Sequence, residues 1–288
     1  MNKKIKGVYQ SFIISLLLFM VLPSGIIGFL FSGSKSITAF FEVVIFLALL
    51  DIGANILNNY SDWKIDIINN KRKDLHDAVS SKGLLKIYFF ITLIPILLLF
   101  LLSASIYLIL SVLLFIVLGL IYSVGVKIKD ITPLNYIAIG LAYGAVPFSI
   151  GFFSGSSSLK NFIILIPILF FLSLVTFSYT ITKDYPDIKG DKANNKRTLP
   201  VILGKKKAIF IQAILIIFSY LFLLFLVIFN ILNKYFLLTL PSFAFAMYIL
   251  YKVLQTEKEE SLKKIALYNK LNHFILRILL LLIIILIL

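Results

Sequence analysis

Apolar residues gather into nine long runs along the chain, 11–31, 37–57, 84–102, 104–124, 133–153, 162–182, 208–229, 235–254 and 271–288, with polar segments between them. Each approaches the roughly 20 residues that an α-helix needs to cross a hydrocarbon core. The runs at 84–102 and 104–124 have almost no loop between them. As helix at about 1.5 Å per residue they would reach about 60 Å, twice the hydrocarbon thickness, so Ser103-Ala104-Ser105 is expected to be a turn. The first run follows a basic start and imitates a secretory signal. It continues through "SGIIGFLF" with no small-x-small cleavage pattern, so it reads as the first membrane helix. The expected fold is all-α: a polytopic membrane protein of about nine transmembrane helices in one bundle around a central cavity. It is read as a single domain over 1–288, with loops of interest at about 58–83 and 183–207.

Composition agrees. Sixty per cent of the 288 residues are hydrophobic and 14% are charged, and the mean hydropathy is +1.03. A soluble domain needs more polar surface than that. The net charge of +15 invites a nucleic-acid reading, but topology accounts for it. Three lysines precede the first run, six cations follow the second, two the fourth, eight the sixth and five the eighth. The other side receives Lys35, Lys160 and Lys234, and Arg277 lies within the last run. By the positive-inside rule the N-terminus and the long loops are cytoplasmic, and no nucleic-acid partner is expected.

There is no cysteine, and the histidines are His76 and His273. Chemistry must therefore use carboxylates, amides, hydroxyls and cations. None of the nine aspartates falls in an outer loop; Asp51 lies within the second run, and five of the other eight concentrate in two segments. In "DIGANILNNYSDWKID", Asn58, Asp62 and Asp66 are spaced by four, so on a helix they rotate only about 40° per step and share a face. Asn55 and Asp51 extend that stripe into the membrane. In "YTITKDYPDIKGDKANNKRTLPVILGKKK", Tyr179, Lys183, Asp187 and Asp191 repeat the spacing, with Asp184 one residue off the line and Pro186 placed to kink or restart the helix. Stacked carboxylates repel unless a cation neutralises them. An oxygen-only Asp/Asn set suits Mg²⁺, which takes its other ligands from phosphate and water. Asp62, Asp66, Asp184, Asp187, Asp191 and Asn58 are the candidate metal ligands, and two Mg²⁺ bridging a diphosphate would balance the charge. Lys183, Lys196, Arg197, Lys129 and Lys73 are the cations at hand.

At these residues the sequence resembles the UbiA superfamily of intramembrane prenyltransferases. The resemblance rests on an NxxxDxxxD motif (Asn58, Asp62, Asp66), a DxxxD motif (Asp187, Asp191) and the longer string "KDYPDIKGD…KRTLP". "IYSVGVKIKD" followed by "LNYIAIG" resembles the family's segment after the fourth helix, which would make Lys129 a diphosphate-contacting lysine. The resemblance implies Mg²⁺-dependent transfer of a prenyl group from a prenyl diphosphate to an aromatic, quinone-precursor-like acceptor or a lipid acceptor. A digeranylgeranylglyceryl-phosphate-synthase-like enzyme or a carotenoid-type elongase is the alternative. It also implies catalytic roles for Asp62, Asp66, Asp187, Asp191 and Tyr179. Substrate contacts are implied for Asn55, Asn58, Arg72, Lys73, Tyr122, Lys129, Lys183, Lys196 and Arg197. The chain departs from the family where many members follow the first motif with Asn-x-Pro-x-Arg-Pro-Leu. Here "NNKRKDLHDAVSSKG" puts Lys73 at the arginine and Asp74 at the proline, with His76 and Asp77 nearby.

Asp51 within the second run reads as interior and polar, and Glu42 as nearer the outer rim. His273 and Arg277 are expected to snorkel or to pair helices, and "EKEESLKK" to form a solvated loop. A transporter is the main rival from another class. It predicts polar or broken helices near mid-bilayer and an internal repeat in the two halves, whereas here the acids cluster at one membrane face.

Overall fold

A computed structural model describes residues 17–68, 72–193 and 195–287, and every described element is helical apart from one isolated bridge between Ile131 and Arg197. Eight of its helices are long and apolar enough to cross a membrane. The first expected run, 11–31, lies partly outside the described residues, and its described part is a shorter apolar helix, Phe19–Phe31. The other eight runs coincide with the eight spans.

The chain falls into two compact units, one ending at Lys127 and reclaiming Ser149–Ser157, the other made of Ile128–Phe148 with the residues from Ser158 on. The first unit contains α1 (Leu22–Phe31), α2 (Ile37–Ile68), the short α3 (Lys73–Ala78), α4 (Ser81–Leu101) and α5 (Ile106–Ser123). Ser105 caps α5 by accepting the Leu108 N–H at 3.3 Å, and Ser103 adopts φ 49°, so the expected turn stands at 102–105. The span α6 (Leu134–Gly155) begins in the second unit and ends in the first. The second unit continues with α7 (Leu159–Ile164), α8 (Ile166–Thr180), a 3₁₀ turn at Ile181–Asp184, and the short helices α9 (Ile188–Ala193) and α10 (Leu199–Leu203). The long helices α11 (Lys205–Ile228), α12 (Leu240–Gln255) and α13 (Glu259–Ile287) complete it.

The last helix corrects one expectation. It starts at Glu259, so most of "EKEESLKK" is helix rather than loop, and Glu259 pairs with Lys263 at 2.6 Å one turn on. The charges there are polar without being helix-breaking, and an i,i+4 Glu–Lys pair favours the helix.

Between apolar helices in a membrane, close approach of small residues replaces the hydrophobic drive. Span α6 carries two glycine pairs spaced by four. In the second unit a Cβ on Gly140 would stand 2.7 Å from the Ser173 carbonyl oxygen, and one on Gly144 3.0 Å from the Ser173 backbone. In the first unit a Cβ on Gly151 would land on the backbone carbonyl of Gly25 in α1, and one on Gly155 on the Ser32 hydroxyl. Backbone cannot yield as a flexible side chain can. Gly151→Val is therefore expected to cost on the order of 3 kcal/mol and to lower the monodisperse fraction of detergent-purified protein on size exclusion after heating. A wild-type profile would remove the close approach from this account.

Candidate active site

The first acidic segment lies on uninterrupted helix. Because α2 runs to Ile68, Asn58, Asp62 and Asp66 keep one face as the spacing predicts. Asp66 is buried, at 5% exposure, and its carboxylate accepts a hydrogen bond from the Arg72 guanidinium. Arg72 reaches it because its backbone is left-handed, φ 51°, which turns the chain back into α3. The Arg72 carbonyl then accepts the N–H groups of Leu75 (2.9 Å) and His76 (3.1 Å). Leu75 is buried among Ile56, Leu57, Leu84 and Tyr88, and the His76 ring packs 4.3 Å from that of Trp63. The stretch that departs from the family pattern is thus folded onto the end of α2, where Arg72 meets the motif acid and Lys73 is exposed. Asn69, Asn70 and Lys71 of that stretch lie outside the described residues. Deeper in α2, buried Asn55 donates to the Asp51 carbonyl at 2.9 Å and to its carboxylate at 3.1 Å. Asn58, Asp62 and, on α5, Tyr122 are half-buried.

The second segment differs from a continuous stripe. After Thr180 the helix tightens to 3₁₀ through Asp184 and restarts at Ile188, beyond Pro186. A 3₁₀ turn advances about 120° per residue instead of about 100°, so Tyr179, Lys183, Asp187 and Asp191 lose their common line. Tyr179 has no exposed surface, and its hydroxyl meets those of Tyr220 (3.1 Å) and Ser242 (3.3 Å). Lys183 is exposed, whereas Asp184 is 7% exposed and accepts the Tyr136 hydroxyl at 2.5 Å. The same Tyr136 oxygen accepts the Leu199 N–H at 3.0 Å. Tyr185 donates to Gln212 at 2.9 Å, and Gln212 donates to the Ser178 carbonyl and the Thr182 hydroxyl, each at 2.8 Å.

Asp187 is exposed and Asp191 half-buried. Asp187 N–H donates to the Asp184 carbonyl at 3.1 Å, and Asp191 N–H to the Asp187 carbonyl at 2.8 Å. The Asp191 carboxyl is pushed up to about 6, first by burial and then by the charges of Asp184 and Asp187, against the opposing pull of Lys196 and the Thr198 hydroxyl. Burial and the Asp184 charge also push the Tyr185 phenol up. Lys129 sits in a 3₁₀ turn, Ile128–Asp130, and the next residue, Ile131, bridges to Arg197. That bridge sets the segments carrying Lys129, Lys196 and Arg197 side by side.

The donor set fits Mg²⁺. It offers carboxylate oxygens from Asp184, Asp187 and Asp191 without histidine or thiolate. Among the described residues no three His, Cys, Asp or Glu side chains gather closely enough to hold an ion unaided. Mg²⁺ does not require that, because it takes one or two carboxylates and fills its shell with substrate phosphate and water.

Sequence reasoning passed over Tyr136 and Gln212. Gln212 was visible as a lone amide inside an apolar run, which in a membrane signals a buried partner. Tyr136 had no such mark, because the geometry that uses its hydroxyl arises only on folding.

The described residues form an all-helical membrane protein with acidic segments at the ends of two spans, α2 and α8. The chain belongs to the UbiA prenyltransferase family, whose sequence model matches residues 17–276. It is 29% identical over 232 residues to digeranylgeranylglyceryl phosphate synthase of Methanosphaera stadtmanae, covering 77% of this chain and 79% of that one. A structure reported for digeranylgeranylglyceryl phosphate synthase in membranes has the same fold, with a TM-score of 0.73 at 21% identity over 98% of this chain and 99% of that one. A UbiA homologue from Archaeoglobus fulgidus bound to GPP and Mg²⁺ superposes with a TM-score of 0.69 at 14% identity, covering 98% and 99%.

Proposed function

We propose that this prenyltransferase uses Mg²⁺ to transfer a prenyl group from a prenyl diphosphate to a glyceryl phosphate lipid, with its termini arranged as the cation asymmetry predicts and its acidic segments cytoplasmic. The observation that carries the reading is the acidic turn of the second unit, where Asp187 is exposed, Asp191 half-buried and an Ile131–Arg197 bridge sets basic residues alongside. The Methanosphaera relative supports the lipid acceptor. The product in its name holds two geranylgeranyl chains on one glyceryl phosphate, so alkylation of a glyceryl phosphate already carrying one chain would make it.

Mg²⁺, when bound, neutralises the diphosphate and makes it a leaving group. Asp62 and Asp66 with Asn58 would offer oxygen ligands to the ion at the first segment, and Asp187 and Asp191 would do so at the second. Lys129, Lys183, Lys196 and Arg197 offset the remaining phosphate charge, and Arg72 holds Asp66 in place. The allylic C–O bond breaks with its electron pair leaving on the diphosphate. An acceptor hydroxyl oxygen forms the new C–O bond, and its proton passes to a carboxylate or to water.

The test is a diphosphate-release assay on detergent-purified protein. Labelled dimethylallyl, geranyl and geranylgeranyl diphosphates are offered against a prenylated glyceryl phosphate, a hydroxybenzoate and a polyene. The expected product is a doubly prenylated glyceryl phosphate, and chelation of Mg²⁺ is expected to lower the rate by about a hundredfold or more. Release with no donor would overturn the reading, and preference for the hydroxybenzoate would move the acceptor to the aromatic class.

A further inference from the structure

The three acids of the second segment stand in different surroundings. Asp184 is buried against a phenol, while Asp187 is exposed and Asp191 half-exposed. A metal that also binds water and diphosphate needs oxygens that open to them, and Asp184 is the least open of the three. A tyrosine hydroxyl has one proton to donate and lone pairs to accept. Tyr136 uses both, giving its proton to Asp184 and accepting the Leu199 N–H. Its ring is 1% exposed and packs edge-on against Phe177 at 5.9 Å, so the hydroxyl is held in place.

We propose that Asp184 and Tyr136 are positioning residues: the Tyr136 hydroxyl ties Asp184 to the start of α10 and closes the neck of the loop 185–198, leaving Asp187 and Asp191 as the metal-binding carboxylates. Tying both loop ends to one oxygen removes the entropy that an open loop of this length would keep. Ties within the loop act in the same direction. Lys196 N–H donates to the Asp191 carbonyl at 2.9 Å, the Thr198 hydroxyl to its carboxylate at 3.4 Å, and Arg197 bridges to Ile131. On the other side of the turn, Gln212 holds Ser178, Thr182 and Tyr185. The loop's acids are therefore presented on a frame fixed at both ends, and Asp184 belongs to that frame.

The proposal rests on the Mg²⁺-dependent reading above, and the replacement Asp184→Asn separates the two roles. An asparagine oxygen still accepts the tyrosine proton but carries no charge for a metal. The experiment measures kcat and the Mg²⁺ concentration for half-activation in full-length Asp184→Asn, Asp184→Ala, Tyr136→Phe and Asp187→Asn. Asp187→Asn is expected to raise the half-activating Mg²⁺ by about tenfold or more, whereas Asp184→Asn and Tyr136→Phe stay within about threefold of wild type. Asp184→Ala and Tyr136→Phe are expected to lose kcat by about tenfold, the scale of one hydrogen bond to a charged group, and Asp184→Asn to recover most of that loss. Initial tryptic cleavage at Lys189, Lys192, Lys196 and Arg197 reads the loop without turnover. It should accelerate by about tenfold in Tyr136→Phe and stay near wild type in Asp184→Asn. An Asp184→Asn variant that shifts Mg²⁺ activation as Asp187→Asn does, or a Tyr136→Phe loop cleaved at the wild-type rate, overturns the proposal. A wild-type protein inactive with every donor overturns the functional reading instead, and the cleavage rates still decide the loop.

Discussion

Replacing Asp187 with alanine is expected to lower kcat for diphosphate release by about a thousandfold or more at saturating Mg²⁺, while the protein stays folded. Asp187 is the exposed acid of the second segment, and its charge adds to the burden on Asp191. Removing it relieves repulsion in the resting protein, so stability has nothing to lose. Catalysis does, because charge developing on the departing diphosphate must be met by cations, and each cation needs a carboxylate to hold it. Asp62→Ala should give a loss of similar size. The double variant Asp62→Ala/Asp187→Ala should lose at least as much as either single one. Diphosphate release, with circular dichroism and size exclusion to verify folding, makes the check. Full activity in the double variant would return both segments to the status of solvated charged ends of helices.

The membrane fold was legible because bilayer thickness imposes a length on apolar runs, and eight of the nine runs recur as spans at nearly the expected positions. What lay outside the hydrocarbon was harder to read. Glu259 and Lys263 are charged, which signals solvent, but their spacing extends α13 by three turns beyond its apolar part. Likewise, four-residue spacing describes Asn58, Asp62 and Asp66 well, since α2 continues through them. The same spacing fails from Tyr179 to Asp191, because a 3₁₀ turn and Pro186 change the angular step. Hydropathy carries no record of that step. It also carries no record of which acid turns inward, so Asp184, off the helical line in sequence, is the one that a tyrosine from 48 residues away captures. Arg72 shows the same limit, since its reach to Asp66 depends on a left-handed backbone that composition does not announce.

Arg277→Met is expected to destabilise the second unit by on the order of 3 kcal/mol, far more than an exposed arginine in a membrane helix would. Snorkelling was one expectation for this residue, but its side chain has no exposed surface, and neither has His273. The guanidinium donates to the carbonyl of His273 at 3.2 Å, to the carbonyl of Tyr143 at 2.9 Å and to the Thr176 hydroxyl at 3.0 Å. The Tyr143 contact has a local cause. Span α6 passes through a π-helical turn, Leu141–Ala145, and Pro147 has no N–H to offer the carbonyl four residues back, which is that of Tyr143. In hydrocarbon every backbone carbonyl needs its donors, and Arg277 gives one to this carbonyl from α13. Thr176 belongs to α8, so one side chain joins three spans. Methionine preserves most of the volume and removes all the donors, which isolates the polar term. Lysine keeps the charge but lacks the planar fork that serves several acceptors at once, so Arg277→Lys should recover only part of the loss. Thermal inactivation in detergent, followed as the fraction remaining monodisperse after a fixed heating step, orders the three proteins as wild type, Arg277→Lys, Arg277→Met. A methionine variant as heat-resistant as wild type would mean that the freed carbonyl finds another donor, and that the arginine is not what holds the three spans together.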